Sequence, residues 1–183
     1  MKLNLGCGLK KLDGYVNVDK YGEPDVRLDL ESLPWPWPDS SVEHVRLIHV
    51  LEHLGREPDV FIGIMKELYR VCRGDAQIDI VVPHPRHDHF IADPTHVRPI
   101  TLEGMLLFDR RRCEEWQKGG YSNTPLAIYH DVDFETVSYV QVPDEPYRTM
   151  LNQKKLSVEQ MENLARTSNN VVTEIQLTLR VRK

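Results

Sequence analysis

Through the first half of the chain the apolar positions fall in short blocks, and a single stretch there has helical spacing. Residues 2–5 (Lys-Leu-Asn-Leu) and 16–18 (Val-Asn-Val) read as two short strands, the first followed by Gly6-Cys7-Gly8 and the second by Asp19. Residues 25–30 alternate polar and apolar, the period of a strand with one face covered, and the run carries a further acid, Asp29, near its end. The prolines of 33–38 (Leu-Pro-Trp-Pro-Trp-Pro) remove donors and fix φ, so this run is a rigid connection with two aromatic surfaces. A strand follows at 45–48. Residues 57–73 then place Val60, Ile64, Leu68 and Val71 on one helical face, with Gly74 set to stop the helix. Residues 77–82 are an apolar run ending at Pro83, the pattern of a parallel strand buried on both faces.

In the second half, 84–101 is too polar for core and too long for a plain connection, which marks a functional loop. Residues 102–117 read as one helix ended by Gly119-Gly120. Short strands are expected at 127–129 and 136–142. A helix is expected at 157–166, where Ser157 and Gln160 have the spacing of a capping box. Residues 171–181 alternate cleanly and read as a last strand, antiparallel and at or near a sheet edge. Strands with few helices between them early, then a helix and a buried strand, define an α/β chain.

Composition narrows the class. The chain has 183 residues, 40% hydrophobic and 28% charged, enough for a single domain over 1–183. A net charge of −5 argues against general nucleic-acid binding. Three cysteines make no even disulfide framework and read as reduced thiols of a cytoplasmic protein. No apolar run approaches a membrane span, and the first residues do not read as a signal peptide.

The chemistry gathers at strand ends. In an open parallel sheet, ligands bind beyond the carboxyl ends of the strands. Gly6 and Gly8 permit a sharp turn and close backbone approach, and the two oxygens of Asp19 suit the vicinal hydroxyls of a ribose. The third glycine of a dinucleotide fingerprint is absent, as Lys11 stands there, and no P-loop lysine follows. Four of the eight histidines (His84, His87, His89, His96) lie in the 84–101 loop.

Taken together, Leu3-Asn-Leu-Gly-Cys-Gly8, Val16-Asn-Val-Asp19, Asp29-Leu30 with Leu33-Pro-Trp-Pro, Val50-Leu-Glu-His-Leu54, and Glu67-Leu-Tyr-Arg-Val71 before Ile80-Val-Val-Pro83 resemble the class I S-adenosylmethionine-dependent methyltransferases. The closest resemblance is to a small branch opening on Leu-Asn-Leu-Gly-Cys-Gly. The second half shares Asp93-Pro-Thr-His-Val-Arg98 with some members. The resemblance implies a Rossmann-like sheet, mostly parallel with an antiparallel last strand. The first crossover helix has no room here, because only Leu9 to Tyr15 separate the glycine turn from the second strand. Asn4 stands where many members carry an acid.

By that resemblance the cofactor is S-adenosylmethionine, held by Asn4, Gly6, Cys7, Gly8, Asp19, Asp29, Leu30 and His49. Cys7 is a small packed residue rather than a nucleophile, since no base or partner cysteine accompanies it. Asp29 meets the adenine amino group and Leu30 adds a backbone donor. Segment 84–150 supplies a lid and acceptor pocket, with 84–101 mobile in the absence of ligand. His53 and His96 are the expected catalytic bases. The expected reaction is methyl transfer to oxygen or nitrogen of a small molecule, sugar or nucleotide. His49-Val-Leu-Glu52-His53, if helical, also puts three ligands on one face, with His84 from the next strand end. This is similar to the Glu-x-x-Glu-His pattern of metal-using 2′-O- and O-methyltransferases, so His49, Glu52, His53 and His84 form a candidate divalent-metal set. Two competing readings are a non-catalytic S-adenosylmethionine-binding or partner-binding protein on the same fold, and a metal-dependent hydrolase built on the histidine loop.

Overall fold

A computed structural model describes residues Met1–Lys183. Its strands are β1 Lys2–Leu5, β2 Val16–Asp19, β3 Val26–Arg27, β4 Val42–Ile48, β5 Cys72–Pro83, β6 Phe134–Pro143 and β7 Val172–Val181. Its helices are α1 Pro58–Val71, α2 Asp88–Ile91, α3 Leu102–Leu106, α4 Arg110–Lys118, α5 Leu126–Tyr129, α6 Tyr147–Asn152 and α7 Val158–Thr167. All seven strands join one sheet in the order β3-β2-β1-β4-β5-β7-β6. β1 to β5 pair in parallel, and β7 is antiparallel to both β5 and β6. No helix is long and apolar enough to cross a membrane.

The register explains why one face of the sheet is core and the other is not. Leu3 pairs with Val45, Val45 with Ile78 and Ile78 with Leu179, and this row is fully buried. The adjacent row runs Asn17, Asn4, Arg46, Asp79 and Thr178. Alternate residues of a strand point to opposite faces, so the two rows define an apolar face and a polar one. α1 packs on the apolar side through Phe61, Ile64, Met65, Leu68 and Val71, in the same core as Leu5, Leu47 and Ile80. On the polar side His44 bonds Tyr15 at 2.6 Å and Asp79 at 3.0 Å, and Thr178 donates to Asp79 at 3.2 Å. β5 therefore alternates, with Gln77 exposed and Asp79 half-buried, and is not the doubly buried strand its apolar run suggests.

No helix separates β1 from β2, as expected, and none separates β2 from β3 or β3 from β4 either. Short connections between parallel strands leave loop backbone groups in need of partners. Here Asn4 and Asn17 supply them. Asn4 Nδ2 donates to Asn17 Oδ1 at 2.9 Å and to the Lys10 carbonyl at 3.0 Å. Asn17 Oδ1 also accepts from Leu12 N–H at 2.8 Å, and Asn17 Nδ2 donates to Asp25 at 2.8 Å. Two buried amides thus stand in for the packing of the absent helix.

Several local expectations change for physical reasons. The 57–73 helix stops at Val71, and β5 begins at once, so Gly74 lies inside the strand. The last helical carbonyls are taken by Ser40 N–H and Ser41 N–H at 2.9 Å, bonds from a distant loop that no local cap signals. The 102–117 helix is two helices, because Asp109 caps the second by accepting from Arg112 N–H at 3.2 Å. Residues 126–129 are a helical turn, not a strand. β7 is antiparallel and near the sheet edge as expected, with β6 the edge strand beyond it. Trp35 and Trp37 are buried in the core rather than presented as surfaces. The Ser157–Gln160 capping box is present as read.

Candidate functional site

The carboxyl ends of β1, β2 and β4 open onto a cavity of about 480 Å³. Gly6, Gly8, Asp19, Asp29, Leu30, His49 and His53 all line it. Gly6 has φ +67°, and a Cβ there would sit 2.3 Å from Val50 Cγ2, so glycine is required both by conformation and by space. Gly8 is left-handed too, with nothing near its missing Cβ; it faces open space. Its N–H donates to Asp19 Oδ2 at 2.9 Å, while Asp19 Oδ1 accepts from Tyr21 N–H at 2.8 Å. The Asp19 carboxylate is thereby clamped by two backbone donors, and each oxygen keeps a lone pair for a ligand hydroxyl.

The far wall is set by Asp29 and Leu30. Asp29 lies 3.7 Å from Lys20 Nζ and accepts from Glu31 N–H at 3.1 Å. Leu30 is positioned through the proline–tryptophan run: its carbonyl accepts from Trp35 Nε1 at 3.0 Å, and Trp35 N–H donates to Glu67 of α1 at 2.7 Å. The Arg70 guanidinium, bonded to both Glu67 oxygens, holds the Glu67 carboxyl below the usual carboxylate range. Leu30 lines the cavity, and its N–H makes no hydrogen bond within the protein.

Two residues expected at this site are elsewhere. Asn4 is 5% exposed, its amide nitrogen bonds Asn17 and the Lys10 carbonyl, and it does not line the cavity. Cys7 is buried; desolvation, then the Asp19 charge, push its thiol up, which suits the packed role. Lys20, Tyr21, Leu28 and Thr95 line the cavity without having been singled out. The first two directly follow Asp19, and Thr95 sits in the Asp-Pro-Thr-His run, so each had a nearby signal.

At the other end His49 leaves β4 in a left-handed conformation, φ +56°. The residues after it form only a 3-10 turn, Leu51–His53, so His49, Glu52 and His53 do not share a helical face. His49 stands between two acids, its Nδ1 3.5 Å from Glu52 Oε1 and its Nε2 3.1 Å from Glu174 Oε1 of β7. Those carboxylates, Glu52 first, raise the His49 pKa against the opposing effect of burial. No sequence pattern pointed to Glu174.

The candidate metal set is rearranged. One ligand atom each from Glu52, His53 and His96 lies within 4.8 Å of the others. His84 is not among them: it lines a separate cavity of about 490 Å³ with Arg86, Tyr139 and Glu162, and burial lowers its pKa. His87 is buried and bonded to Asp144 at 3.0 Å, so the loop histidines do not converge as a hydrolase site would need. His53 reaches the main cavity, whereas His96 stands behind it, ring centroids 4.6 Å apart. Segment 84–101 is fastened at many points: His84 N–H to the Thr173 carbonyl at 2.8 Å, Val97 and Arg98 N–H to the Glu52 carbonyl at 2.9 and 3.0 Å, and the Arg98 guanidinium to the Gly55 carbonyl. These bonds tie the segment to β7 and to the turn after β4, and 84–150 also contributes β6 to the sheet.

No protein-family model matches the chain, and no curated protein does. Solved structures do. An S-adenosylmethionine-dependent methyltransferase from Archaeoglobus fulgidus superposes with a TM-score of 0.60 over 98% of this chain and 85% of that one, at 18% identity. A methyltransferase of the same kind from Methanosarcina mazei gives 0.54 over 100% and 92%, at 14% identity. The 1,6-didemethyltoxoflavin-N1-methyltransferase of Burkholderia thailandensis, solved with 1,6-didemethyltoxoflavin and S-adenosylhomocysteine, gives 0.54 over 100% and 71%, at 13% identity. At these identities the likeness is one of fold: the chain has the Rossmann-like sheet of S-adenosylmethionine-dependent methyltransferases, with its antiparallel β7.

Proposed function

We propose that the cavity at the ends of β1, β2 and β4 binds S-adenosylmethionine and that the protein transfers its methyl group to an oxygen or nitrogen of a small acceptor. The observation that carries this reading is the clamped Asp19 carboxylate. It is bonded to the Gly8 N–H of the glycine turn, in a cavity lined also by Gly6, Asp29 and Leu30. In this reading Asp19 accepts both ribose hydroxyls, Asp29 accepts from the adenine amino group, Leu30 N–H donates to an adenine nitrogen, and the glycine turn admits the amino-acid end. The small-molecule ligand of the Burkholderia thailandensis enzyme supports an acceptor of that size.

Methyl transfer is an in-line displacement, so the chain's main task is to hold the acceptor behind the methyl carbon. The cavity end bearing His49, His53 and Thr95 is the acceptor end. An acceptor that carries a proton gives it up there, to the His53 nitrogen not bonded to Thr95. Titration calorimetry with S-adenosylhomocysteine tests the cofactor assignment, with micromolar or tighter binding expected; no binding rejects it. Conversion of S-adenosylmethionine to S-adenosylhomocysteine on addition of candidate acceptors separates an enzyme from a non-catalytic binder.

A further inference from the structure

We propose that Glu52, His53 and His96 form a binding site for a single first-row divalent transition-metal ion at the acceptor end of the cavity. The convergence of three ligand atoms within 4.8 Å is one observation. The second is independent of it: Glu52 is 1% exposed, and neither carboxylate oxygen has a hydrogen-bond partner. At 3.5 Å, His49 Nδ1 is too far to serve as a full one. A buried carboxylate with no hydrogen bond, and only the His49 ring 3.5 Å away as an ion-pair partner, is costly to hold, and a bound cation lowers that cost.

The hydrogen bonds around the two histidines fix which nitrogen each can offer. Thr95 Oγ1 donates its proton to Asp93 Oδ1 at 2.6 Å, so toward His53 Nδ1, 2.9 Å away, it can only accept. His53 Nδ1 therefore carries the proton. His96 Nδ1 faces the Phe90 carbonyl at 2.9 Å, which can only accept, so that Nδ1 also carries the proton. In the neutral ring each histidine is left with a bare Nε2, the form that binds metal. Each Nδ1–H is held by an oxygen, the arrangement that orients metal-ligating imidazoles elsewhere. The remaining acid nearby, Asp93 Oδ2, is 3.8 Å from His96 Nε2, too long for a hydrogen bond. The Asp93-Pro-Thr-His run thus has a division of labour: Asp93 and Thr95 set the tautomer of His53, and His96 is a ligand.

Two imidazoles and one carboxylate favour zinc, manganese, iron, cobalt or nickel over magnesium or calcium. Donors on such an ion, each about 2.1 Å from it, lie about 3 Å apart, so binding draws the three side chains together. Three protein ligands leave positions open, and His53 also borders the cavity. An oxygen of the acceptor would fit there; a hydroxyl bound to the ion would have a lowered pKa and would give its proton to solvent water, since His53 Nε2 would then be a ligand and not a base. This last role rests on the proposed methyl transfer; the binding of the ion does not.

The test uses tag-free protein stripped with chelator and titrated calorimetrically with manganese chloride or cobalt chloride, without cofactor or acceptor. One ion per chain is expected, with no competition from magnesium. Glu52→Gln and His96→Asn should each weaken binding at least about tenfold, while His84→Asn leaves it unchanged. A cooperative melt and a retained circular dichroism spectrum of stripped Glu52→Gln show that it folds. Cobalt bound through imidazole nitrogens also gives visible absorption that disappears in His96→Asn. Absence of stoichiometric binding, or binding that survives both Glu52→Gln and His96→Asn, overturns the site, as does binding lost only in His84→Asn. S-adenosylhomocysteine binding measured in chelator reports on the cofactor reading separately.

Discussion

Asn4 and Glu52 are both buried polar residues within a few positions of a strand end, and they end in opposite states. Asn4 has its amide nitrogen bonded to Asn17 and to the Lys10 carbonyl. Glu52 has both side-chain oxygens without a hydrogen-bond partner. The β1–β2 side of the site is closed on itself: amides, Asp19 and Asp25 satisfy the backbone of helix-free connections and hold the glycine turn in place. The β4–β5 side is unfinished, with an orphan acid beside two histidines. Buried polar groups are normally paired, so the unbonded Glu52 carboxylate, unlike the bonded Asn4 amide, leaves room for the ion proposed above.

The contrast can be broken most severely at Gly6. Gly6→Ala combines a left-handed backbone with a Cβ 2.3 Å from Val50, and should destabilise the fold by about 3 kcal/mol, read by denaturant unfolding. Near-parental stability would mean that the turn is loose and the clamp on Asp19 unnecessary. Next comes the amide plug: Asn17→Leu strips partners from Asn4, Leu12 and Asp25 and should cost about 2 kcal/mol of stability. That loss should come without changing the lining of the cavity, because Asn17 is not in its wall.

Asp19→Ala sharpens the other half of the comparison. It should weaken S-adenosylhomocysteine binding by about 2 kcal/mol in calorimetry, with the circular dichroism spectrum retained. Unchanged affinity would remove the ribose assignment. The smallest effect is on pH. The Asn17 N–H and side-chain bonds lower the Asp25 pKa to about 2 in the folded protein, against an ordinary 3.8. A lowered folded-state value gives stability that is present above 3.8 and is lost as pH falls through about 2. Acid titration of the melting temperature should show this step, and Asp25→Asn should flatten it.

Much of the β1–β2 side of the cavity was legible because its signals are local. A glycine turn directly after a strand, and acids at Asp19 and Asp29, depend on positions a few residues apart. What misled there was Asn4, whose role is set by Asn17 across the sheet. The acceptor side was legible only in its ingredients. Glu52, His53 and the loop histidines were visible, but the partner of Glu52 and His53 was read as His84 because it follows the neighbouring strand. The chain instead folds 93–98 back onto Glu52 through the Val97 and Arg98 N–H groups, which brings His96.

The sequence by itself determined seven of the eight strands it predicted, the helical face of α1, the capped α7, the glycine turn and the acids beyond β2 and near β3, because periodicity, capping and glycine freedom act over a few residues. The tertiary structure alone decided that one sheet face is polar, that the Asn4 amide nitrogen bonds the β1–β2 loop and that Glu52 lacks a hydrogen-bond partner. Each of these depends on which distant groups meet a buried side chain, and burial makes the difference between a met and an unmet hydrogen bond worth far more than any local preference.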